Sequence, residues 1–340
     1  MIRSILKGVW QFCSYLFVPQ RRPTENEEGD IKKDDRVLLL SDFLESKDYE
    51  GCQFPEFEMA LENVDDGNIG AFALYHLDNL FFSVFQRVPQ KEGERTLFRF
   101  TGLLAEGEDK GEKWDGEKCY AFNDIKDGAL TFSAPKLFND PMDPIIKEWT
   151  KWRKVHYKDK DDKILYRLID VTLDKIRICC FVDPLRSDKK NSIPRIEDCS
   201  PLMWAHYANN HKGICIQYKI NPALIPENEQ WIIRLLDVDY KRAFPLNGDI
   251  PFMDSLCVKG GSWQYENETR LILYTRNKFA DKGRRRVKKY DIEAVYMGRE
   301  IEAERRNYLK NMLRGTSIKL YQMSFDEDDI SKLKAHQINL

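Results

Sequence analysis

The chain has 340 residues, of which 42% are hydrophobic and 32% are charged, and its formal net charge is -2. A chain of this length can bury a full core, and the composition predicts a globular protein with one large domain and a smaller attached region. The low net charge excludes a general attraction to nucleic acid or to an anionic membrane, although local basic patches stay open. The eight cysteines include no CxxC pair, which favours reduced thiols in a cytoplasmic protein.

The part of the chain before residue 96 divides into three predicted segments. Residues 1–18 are mostly apolar, but they are too short and too interrupted by polar side chains for a transmembrane segment. They predict an amphipathic helix that contacts a partner protein, a membrane surface or the body of this protein. Residues 19–36 combine proline, glycine and mixed charges and predict a linker. Residues 37–95 space their apolar side chains as a helix does and predict a small helical N-terminal region.

Residues 96–323 predict the main domain, because strand and helix patterns alternate there in an irregular order. Helices are predicted before Gly128, over residues 144–170 and over residues 300–313. Strands are predicted at residues 96–101, 129–133, 176–182, 214–220, 231–240, 266–274, 291–297 and 317–323. This order predicts an α+β fold with a mixed or antiparallel β-sheet core and short flanking helices, not a regular βαβ series. Residues 324–340 are expected to form a C-terminal tail.

Residues 200–218 read SPLMWAHYANNHKGICIQY and predict a short helix that leads directly into a strand. Gly213 is expected to end the helix in a left-handed conformation, and the alternation after it predicts a half-buried strand. Trp204, His206 and Tyr207 share about two helical turns and the following loop with several polar residues. This crowding indicates either a functional site beside the helix or a polar-lined core helix. His206 and His211 are not spaced as metal ligands usually are, so no metal site is predicted.

Two glutamates and an arginine alternate with other residues at the start of the predicted strand over residues 266–274. On one strand, Glu266, Glu268 and Arg270 would face the same way, with successive residues about 6–7 Å apart. Two carboxylates beside a guanidinium can do acid–base work, bind a metal or stabilise a developing cation. The alternative is a solvated face with an internal ion pair. Trp263 and Tyr265, beside a glycine pair, favour the functional interpretation.

Three smaller groups complete the candidates. Asn139, Asp140 and Asp143 form either a polar turn or part of a site. Arg99 lies on an otherwise apolar strand and needs a partner, either a carboxylate or a ligand phosphate. The basic run Arg284–Arg286 fits a hairpin tip, or a contact with nucleic-acid phosphates. The chain has no GxGxxG, P-loop, GxSxG or HExxH motif, which excludes Rossmann and Walker nucleotide sites.

Together these motifs resemble a bacterial family, the domain of unknown function 2971, over about residues 97–323. The segment LMWAHYANNHKGICIQY is very close to the family signature LMWSHYADNHKGICIGF. The other matching segments are residues 97–101, 128–143, 178–181, Lys259 with 263–272, and 292–323. The chain departs from the family pattern through an acidic insertion at residues 102–118 and through Met142, where the family has an aromatic residue.

The order of the elements also resembles that of ADP-ribosyltransferase-like toxins. This resemblance implies a split sheet with NAD bound across it as a co-substrate, in a bacterial effector that transfers ADP-ribose or hydrolyses NAD. A toxin or phage-defence setting and an unknown macromolecular acceptor would follow. The implied catalytic residues are Glu268, Glu266 and Arg270. The implied cofactor-binding residues are Arg99, Thr101, Asn139, Asp140, Trp204, His206 and Tyr207.

Two alternatives to an NAD-using enzyme stay open. In the first, the chain is a metal-dependent nuclease in which Lys259 assists and four carboxylates collect Mg²⁺. These carboxylates are Asp140, Asp143, Glu266 and Glu268. In the second, the chain is a non-catalytic sensor or interaction module whose conspicuous residues serve the fold.

Overall fold

A computed structural model describes the main domain and a few residues that precede it. It covers residues 85–86, 88, 90, 93–138, 140, 142–156, 170, 172–186, 193–225, 231–241, 255–275, 284–288 and 290–340. The predicted amphipathic helix, the linker and nearly all of the helical N-terminal region therefore lie outside the described residues. So does Asn139.

The described elements follow the predicted irregular order of strands and short helices. The strands are β1 Arg95–Thr101, β2 Ala129–Ser133, β3 Ile176–Val182, β4 Ile214–Ile220, β5 Trp231–Asp237, β6 Asp239–Lys241, β7 Val258–Gly260, β8 Glu268–Thr275, β9 Arg284–Lys288, β10 Asp291–Met297, β11 Lys319–Phe325 and β12 Leu333–Ile338. Four of the helices are α1 Tyr120–Asp127, α2 Ile146–His156, α3 Leu202–Tyr207 and α4 Ala303–Leu313.

Strand β3 is the branch point of a ten-stranded sheet. One edge of β3 pairs with β8 over its whole length, and β8 pairs in turn with β5. The other edge is shared, because β1 pairs with it at Val182 and β2 pairs with it at Ile178. The sheet continues from β1 through β4, β10, β11 and β12, and from β2 to β9. Within this sheet all pairs are antiparallel except β10 with β11, and β6 and β7 form a separate parallel pair. The predicted α+β fold with a mixed sheet is confirmed.

The two faces of the sheet bury separate apolar clusters, because successive side chains of a strand point to opposite faces. One cluster contains Leu97 of β1 and packs against Phe122 of α1 and Leu309 of α4. The other contains Phe98 of β1 and packs against Trp204 of α3. Each large side chain that is fully buried contributes about 1.5–3 kcal/mol to stability.

The connection from α3 to β4 has an unusual backbone. Asn209, Asn210 and His211 have φ angles of 47°, 52° and 66°, so three consecutive non-glycine residues are left-handed. The predicted left-handed conformation of Gly213 is wrong, because Gly213 is not among the glycines with positive φ. Gly213 is needed for space instead, since a Cβ atom there would overlap the carbonyl oxygen of Thr101. The helix and the strand themselves are confirmed.

Three other boundaries differ from the prediction. Glu266 lies at the end of a 3₁₀ helix, Gly261–Glu266, and not on the strand with Glu268. The strand predicted over residues 231–240 is divided into β5 and β6. The predicted C-terminal tail contains β12, which pairs with β11 and forms one edge of the sheet.

In the part of the chain that the structure describes, no helix combines the length and the apolar character that crossing a membrane requires.

Candidate functional site

A cavity of about 250 Å³ lies beside β3, near the point where β1 and β2 separate. Its wall includes five residues that the sequence predicted for the site: Arg99, Asp140, Tyr207, Glu266 and Glu268. Groups that act together in catalysis must first meet in space. This convergence makes the cavity the candidate active site.

Lys259 on β7 lies at the centre of the charged groups beside this cavity. Its Nζ atom is 2.6 Å from Glu266 Oε2, 3.3 Å from Glu268 Oε2 and 3.4 Å from Asp143 Oδ2. All four side chains are buried. Burial alone would lower the pKa of Lys259, but the carboxylates of Glu268, Asp143 and Glu266 raise it above its ordinary value. The ammonium group therefore stays charged.

Arg270 holds two of the same carboxylates from β8, and it is fully buried. Its Nε and Nη2 atoms donate to the two oxygens of Glu268 at 2.8 and 3.0 Å, in a bidentate pair. Nη2 also donates to Asp143 Oδ2 at 2.7 Å, and Nη1 donates to the carbonyl oxygen of Leu256 at 2.6 Å. Arg270, predicted to be catalytic, thus positions the two carboxylates.

The chain between the two glutamates explains how both reach Lys259. Asn267 follows the 3₁₀ helix and has a left-handed φ of 43°, a conformation that asparagine tolerates better than most residues. The carboxyl groups of Glu266 and Glu268 therefore meet on one ammonium group, although only Glu268 lies on β8. We call the five buried residues of this group the cavity cluster: Asp143, Lys259, Glu266, Glu268 and Arg270.

Glu266 and Glu268 have opposite shifts in pKa. Burial, and after it the charge of Glu268, raises the pKa of Glu266 above its ordinary value, although Lys259 and Tyr207 oppose this shift. Burial would also raise the pKa of Glu268, but the charges of Arg270 and Lys259 lower it to about 2. Paired carboxyl groups whose pKa values are driven apart can divide acid–base and charge-stabilising roles. Here Glu268 stays ionised, while Glu266 exchanges its proton at a higher pH.

Tyr207 connects helix α3 to the cavity cluster. It is the last residue of α3, and its hydroxyl group donates to Glu266 Oε1 at 2.5 Å. Burial raises the pKa of Tyr207 above its ordinary value, so the hydroxyl group stays protonated and remains a donor.

Partly exposed aromatic rings adjoin Tyr207 and Glu266. The ring of His206 lies 6.2 Å from those of Trp263 and Tyr265, and the latter two lie 6.1 Å apart. Lys259 Nζ lies 5.0 Å from the centre of the Trp263 ring. His206 itself is exposed, whereas the other two rings are half-buried. The rings together provide planar apolar surface next to the charged groups.

Of the predicted binding residues that the structure describes, the wall of this cavity lacks three: Trp204, Thr101 and His206. Trp204 is 1% exposed, packs edge-on against Phe100 and stacks on His211. The hydroxyl group of Thr101 donates to the carbonyl oxygen of the next residue. Trp204 is therefore a core residue in this structure, and a ligand ring could reach it only if the core opened.

Arg99 lines the cavity but already has protein partners. It shares a face of β1 with Leu97, and its Nη2 atom donates to the carbonyl oxygen of Thr131 at 3.0 Å. Its Nη1 atom lies 3.5 Å from Asp124 Oδ2. These partners explain why an arginine lies on this strand without a ligand. The contact of Arg99 with a ligand phosphate stays a prediction.

The basic run Arg284–Arg286 lies on β9, which pairs with β2. Arg286 Nε lies 2.9 Å from Asp124 Oδ1, and Arg286 Nη2 lies 3.1 Å from Asp127 Oδ2. One arginine of the run therefore ties β9 to α1, while Arg285 is exposed. A contact between this run and nucleic acid stays a prediction.

The cavity-wall residues that are absent from the set predicted for an NAD-using enzyme include Asp143, Lys259 and Cys180. Asp143 and Lys259 were predicted only for the nuclease alternative. A signal for both exists, since each lies in a segment that resembles the family pattern. Cys180 lies in an apolar strand without such a signal. Burial raises the pKa of its thiol, which donates a hydrogen bond to Glu268.

No group of three or more His, Cys, Asp or Glu side chains that could hold a metal ion occurs among the described residues. The cavity cluster does bring three carboxylates together, but the ammonium group of Lys259 lies between them. A metal ion at that position would have to displace Lys259.

Comparison with known proteins bears on the central part of this site. Residues 203–271 match the family model described as "Protein of unknown function (DUF2971)". The predicted resemblance to that family is therefore confirmed for these residues, which run from Met203 in α3 to Leu271 in β8. Neither the curated proteins nor the solved structures give a match to the chain.

Proposed function

We propose that this chain cleaves the glycosidic bond between nicotinamide and ribose in NAD, and that it transfers ADP-ribose to an acceptor or to water. The observation that carries the proposal is the pair Glu266 and Glu268, adjacent on one ammonium group but opposite in the direction of their pKa shifts. Glycosidic cleavage uses two carboxyl groups around a cation-like transition state.

The charge of the cavity cluster supports this choice of reaction. With every group ionised, three carboxylates face two cations, so the cluster has a net charge of -1 in a buried setting. When the bond from C1′ to the ring nitrogen breaks, its electron pair moves to nicotinamide and positive charge develops on the ribose. Fixed negative charge lowers the energy of that state more than water does, because it needs no reorganisation.

The two glutamates then have separate roles. Ionised Glu268, held by Arg270, stabilises the ribose cation. As the oxygen of the acceptor bonds to C1′, its proton passes to Glu266 in the ionised form. The raised pKa of Glu266 makes it a stronger base than an ordinary glutamate, and general bases of this kind contribute about 10²–10⁴-fold to rate.

We extend the proposal to a cytoplasmic bacterial effector in a toxin or phage-defence setting, acting on a macromolecular acceptor. Five of the described cysteines are free thiols, which agrees with a reducing compartment: Cys119, Cys179, Cys180, Cys199 and Cys215. The exposed and half-exposed rings of His206, Trp263 and Tyr265 offer a surface on which a ring of the substrate or of the acceptor could stack.

The proposal is tested by incubating the full chain with nicotinamide-labelled NAD, with and without a bacterial lysate as a pool of acceptors. We expect release of nicotinamide, and loss of that release in Glu266→Gln. Asp291→Asn, which removes an exposed carboxylate at the start of β10, is the matched control and should retain release. Absence of release under both conditions would overturn the proposal.

A metal-dependent nuclease is the second candidate, because Asp143, Glu266 and Glu268 do converge. The position of Lys259 between them favours the first candidate. Cleavage of nucleic acid that EDTA abolishes would establish the nuclease instead. A non-catalytic module would be indicated if Glu268→Gln folded and kept its cellular effect.

A further inference from the structure

We propose that Asp143 is the substrate-binding carboxylate of the cavity, and that its Oδ1 atom accepts hydrogen bonds from the ribose hydroxyl groups of a nucleotide-type ligand. The inference deepens the proposed function and rests on it. Asp143 is 4% exposed and lines the cavity. Its Oδ1 atom is buried and has no hydrogen-bond partner among the described residues.

A buried hydrogen-bond acceptor without a partner lowers the stability of the fold by about 1–3 kcal/mol. The cost falls here on one oxygen of a carboxylate whose other oxygen is well paired. Asp143 Oδ2 is 2.7 Å from Arg270 Nη2 and 3.4 Å from Lys259 Nζ. Both cations approach the same oxygen, so the side chain is fixed in place while Oδ1 keeps its capacity to accept hydrogen bonds.

Every oxygen of the other two carboxylates of the cavity cluster already has a donor. An ionised carboxylate accepts about four hydrogen bonds in total. Glu268 accepts from Arg270 twice, from Lys259 and from the thiol of Cys180. Each oxygen of Glu266 also has a donor, one from Tyr207 and one from Lys259. A ligand that enters the cavity therefore finds at Asp143 Oδ1 the carboxylate oxygen of the cavity cluster that has no donor among the described residues.

The surroundings of Oδ1 decide which donor fits. A second ammonium or guanidinium group would be repelled by Lys259 and Arg270, which already lie against Asp143. A phosphate would be repelled by the net negative charge of the cavity cluster. A neutral hydroxyl group avoids both penalties.

The size of the cavity sets which end of a ligand enters it. A volume of about 250 Å³ is below the range of about 300–1,000 Å³ that is typical for sites enclosing a drug-sized molecule. One sugar with its attached ring can enter, while a diphosphate and a second nucleoside must remain outside. We therefore assign Asp143 to the ribose that carries the scissile bond.

The test measures binding instead of turnover, so that it can fail independently of the proposed reaction. The full chain is titrated calorimetrically with ADP-ribose and with ADP, which lacks the terminal ribose. We expect wild-type protein to bind ADP-ribose at least 10-fold more tightly than ADP. In Asp143→Asn the amide nitrogen is a donor, so this preference should fall to less than 2-fold. Asp291→Asn should keep the wild-type preference.

Equal affinity of wild-type protein for the two ligands would overturn the inference without any mutation, and so would failure to bind ADP-ribose. An unchanged preference in folded Asp143→Asn would overturn it too. If Asp143→Asn does not fold, the comparison of the two ligands on wild-type protein decides alone. Release of nicotinamide is measured separately. If release occurs without a preference for ADP-ribose, only the role of Asp143 fails, and a preference without release rejects only the reaction.

Discussion

Two groups of charged side chains differ in how completely their buried carboxylates are paired. The first, which we call the core cluster, consists of Arg99, Asp124 and Arg286. Asp124 is 3% exposed. Its Oδ1 atom accepts from Arg286 at 2.9 Å and from the hydroxyl group of Thr131 at 2.9 Å, and Oδ2 faces Arg99.

The cavity cluster has the opposite character. It has one more acid than base, two glutamates whose pKa values shift in opposite directions, and a buried oxygen of Asp143 without a partner. The core cluster ties α1 to β1 and β9, and both oxygens of Asp124 are paired, whereas Asp143 in the cavity cluster has an oxygen without a donor in the described part of the chain. Both clusters contain a buried carboxylate, so the unused hydrogen-bonding capacity is the feature that indicates a site for a ligand.

The largest expected effect is a loss of activity when a residue of the cavity cluster is replaced. Glu266→Gln should lower the turnover of NAD by about 10²–10⁴-fold, because the general base is lost. The amide oxygen of glutamine can still accept from Lys259, and its amide nitrogen can donate to the hydroxyl oxygen of Tyr207, so the melting temperature should change little. Nicotinamide release and thermal unfolding are measured on the same sample. A large loss of stability with retained turnover would contradict the assignment.

The core cluster should show the reverse behaviour. Asp124→Asn should lower the free energy of unfolding by about 1.5–3 kcal/mol, because half-buried Arg99 and the more exposed Arg286 lose their buried carboxylate. Asp127→Asn on the same helix is the control. Asp127 is about a third exposed, and its pair with Arg286 is expected to contribute at most about 1 kcal/mol. Denaturant unfolding measures both, and folded Asp124→Asn should keep its turnover of NAD.

The pH dependence of stability should identify Glu268. Its pKa is about 2 in the folded protein, below the ordinary value of 4.5, so the unfolded chain binds more protons between these values. Glu268 therefore contributes stability that is present above pH 4.5 and is lost as the pH falls towards 2, by about 3 kcal/mol. In Glu268→Gln the acid-induced loss should be smaller by that amount. Equal pH slopes in both proteins would contradict the shift.

The smallest expected effect concerns the backbone that carries Tyr207. Gly213→Ala should lower the free energy of unfolding by about 1–3 kcal/mol, because its Cβ atom would overlap the carbonyl oxygen of Thr101. Gly260→Ala is the control, since the nearest atoms to its Cβ would lie 3.8 Å away. Equal effects in the two variants would show that the close packing at Gly213 is not what the signature requires.

The sequence predicted α3 and β4, because local turn residues and the alternation of apolar and polar side chains determine them. It did not predict the position of Glu266, because a 3₁₀ helix and one left-handed asparagine replace the expected first turn of β8. The contact of Arg270 with Asp143 joins residues 127 positions apart, and no local pattern encodes it. β12 was missed because its alternating side chains are mostly exposed and polar. The position of β12 and the contact of Arg270 with Asp143 thus depend on residues far apart in the chain, which local patterns do not show.

The division of roles between Glu266 and Glu268 depends on the opposite shifts in their pKa values. The direct measurement is a titration of the full chain with ¹³C-labelled glutamate side chains, followed by carbon NMR. Glu266→Gln and Glu268→Gln assign the two signals by their disappearance. We expect Glu266 to titrate above the ordinary value of 4.5 and Glu268 near pH 2. Two midpoints near 4.5, or the reverse order, would contradict the division of roles within the cavity cluster.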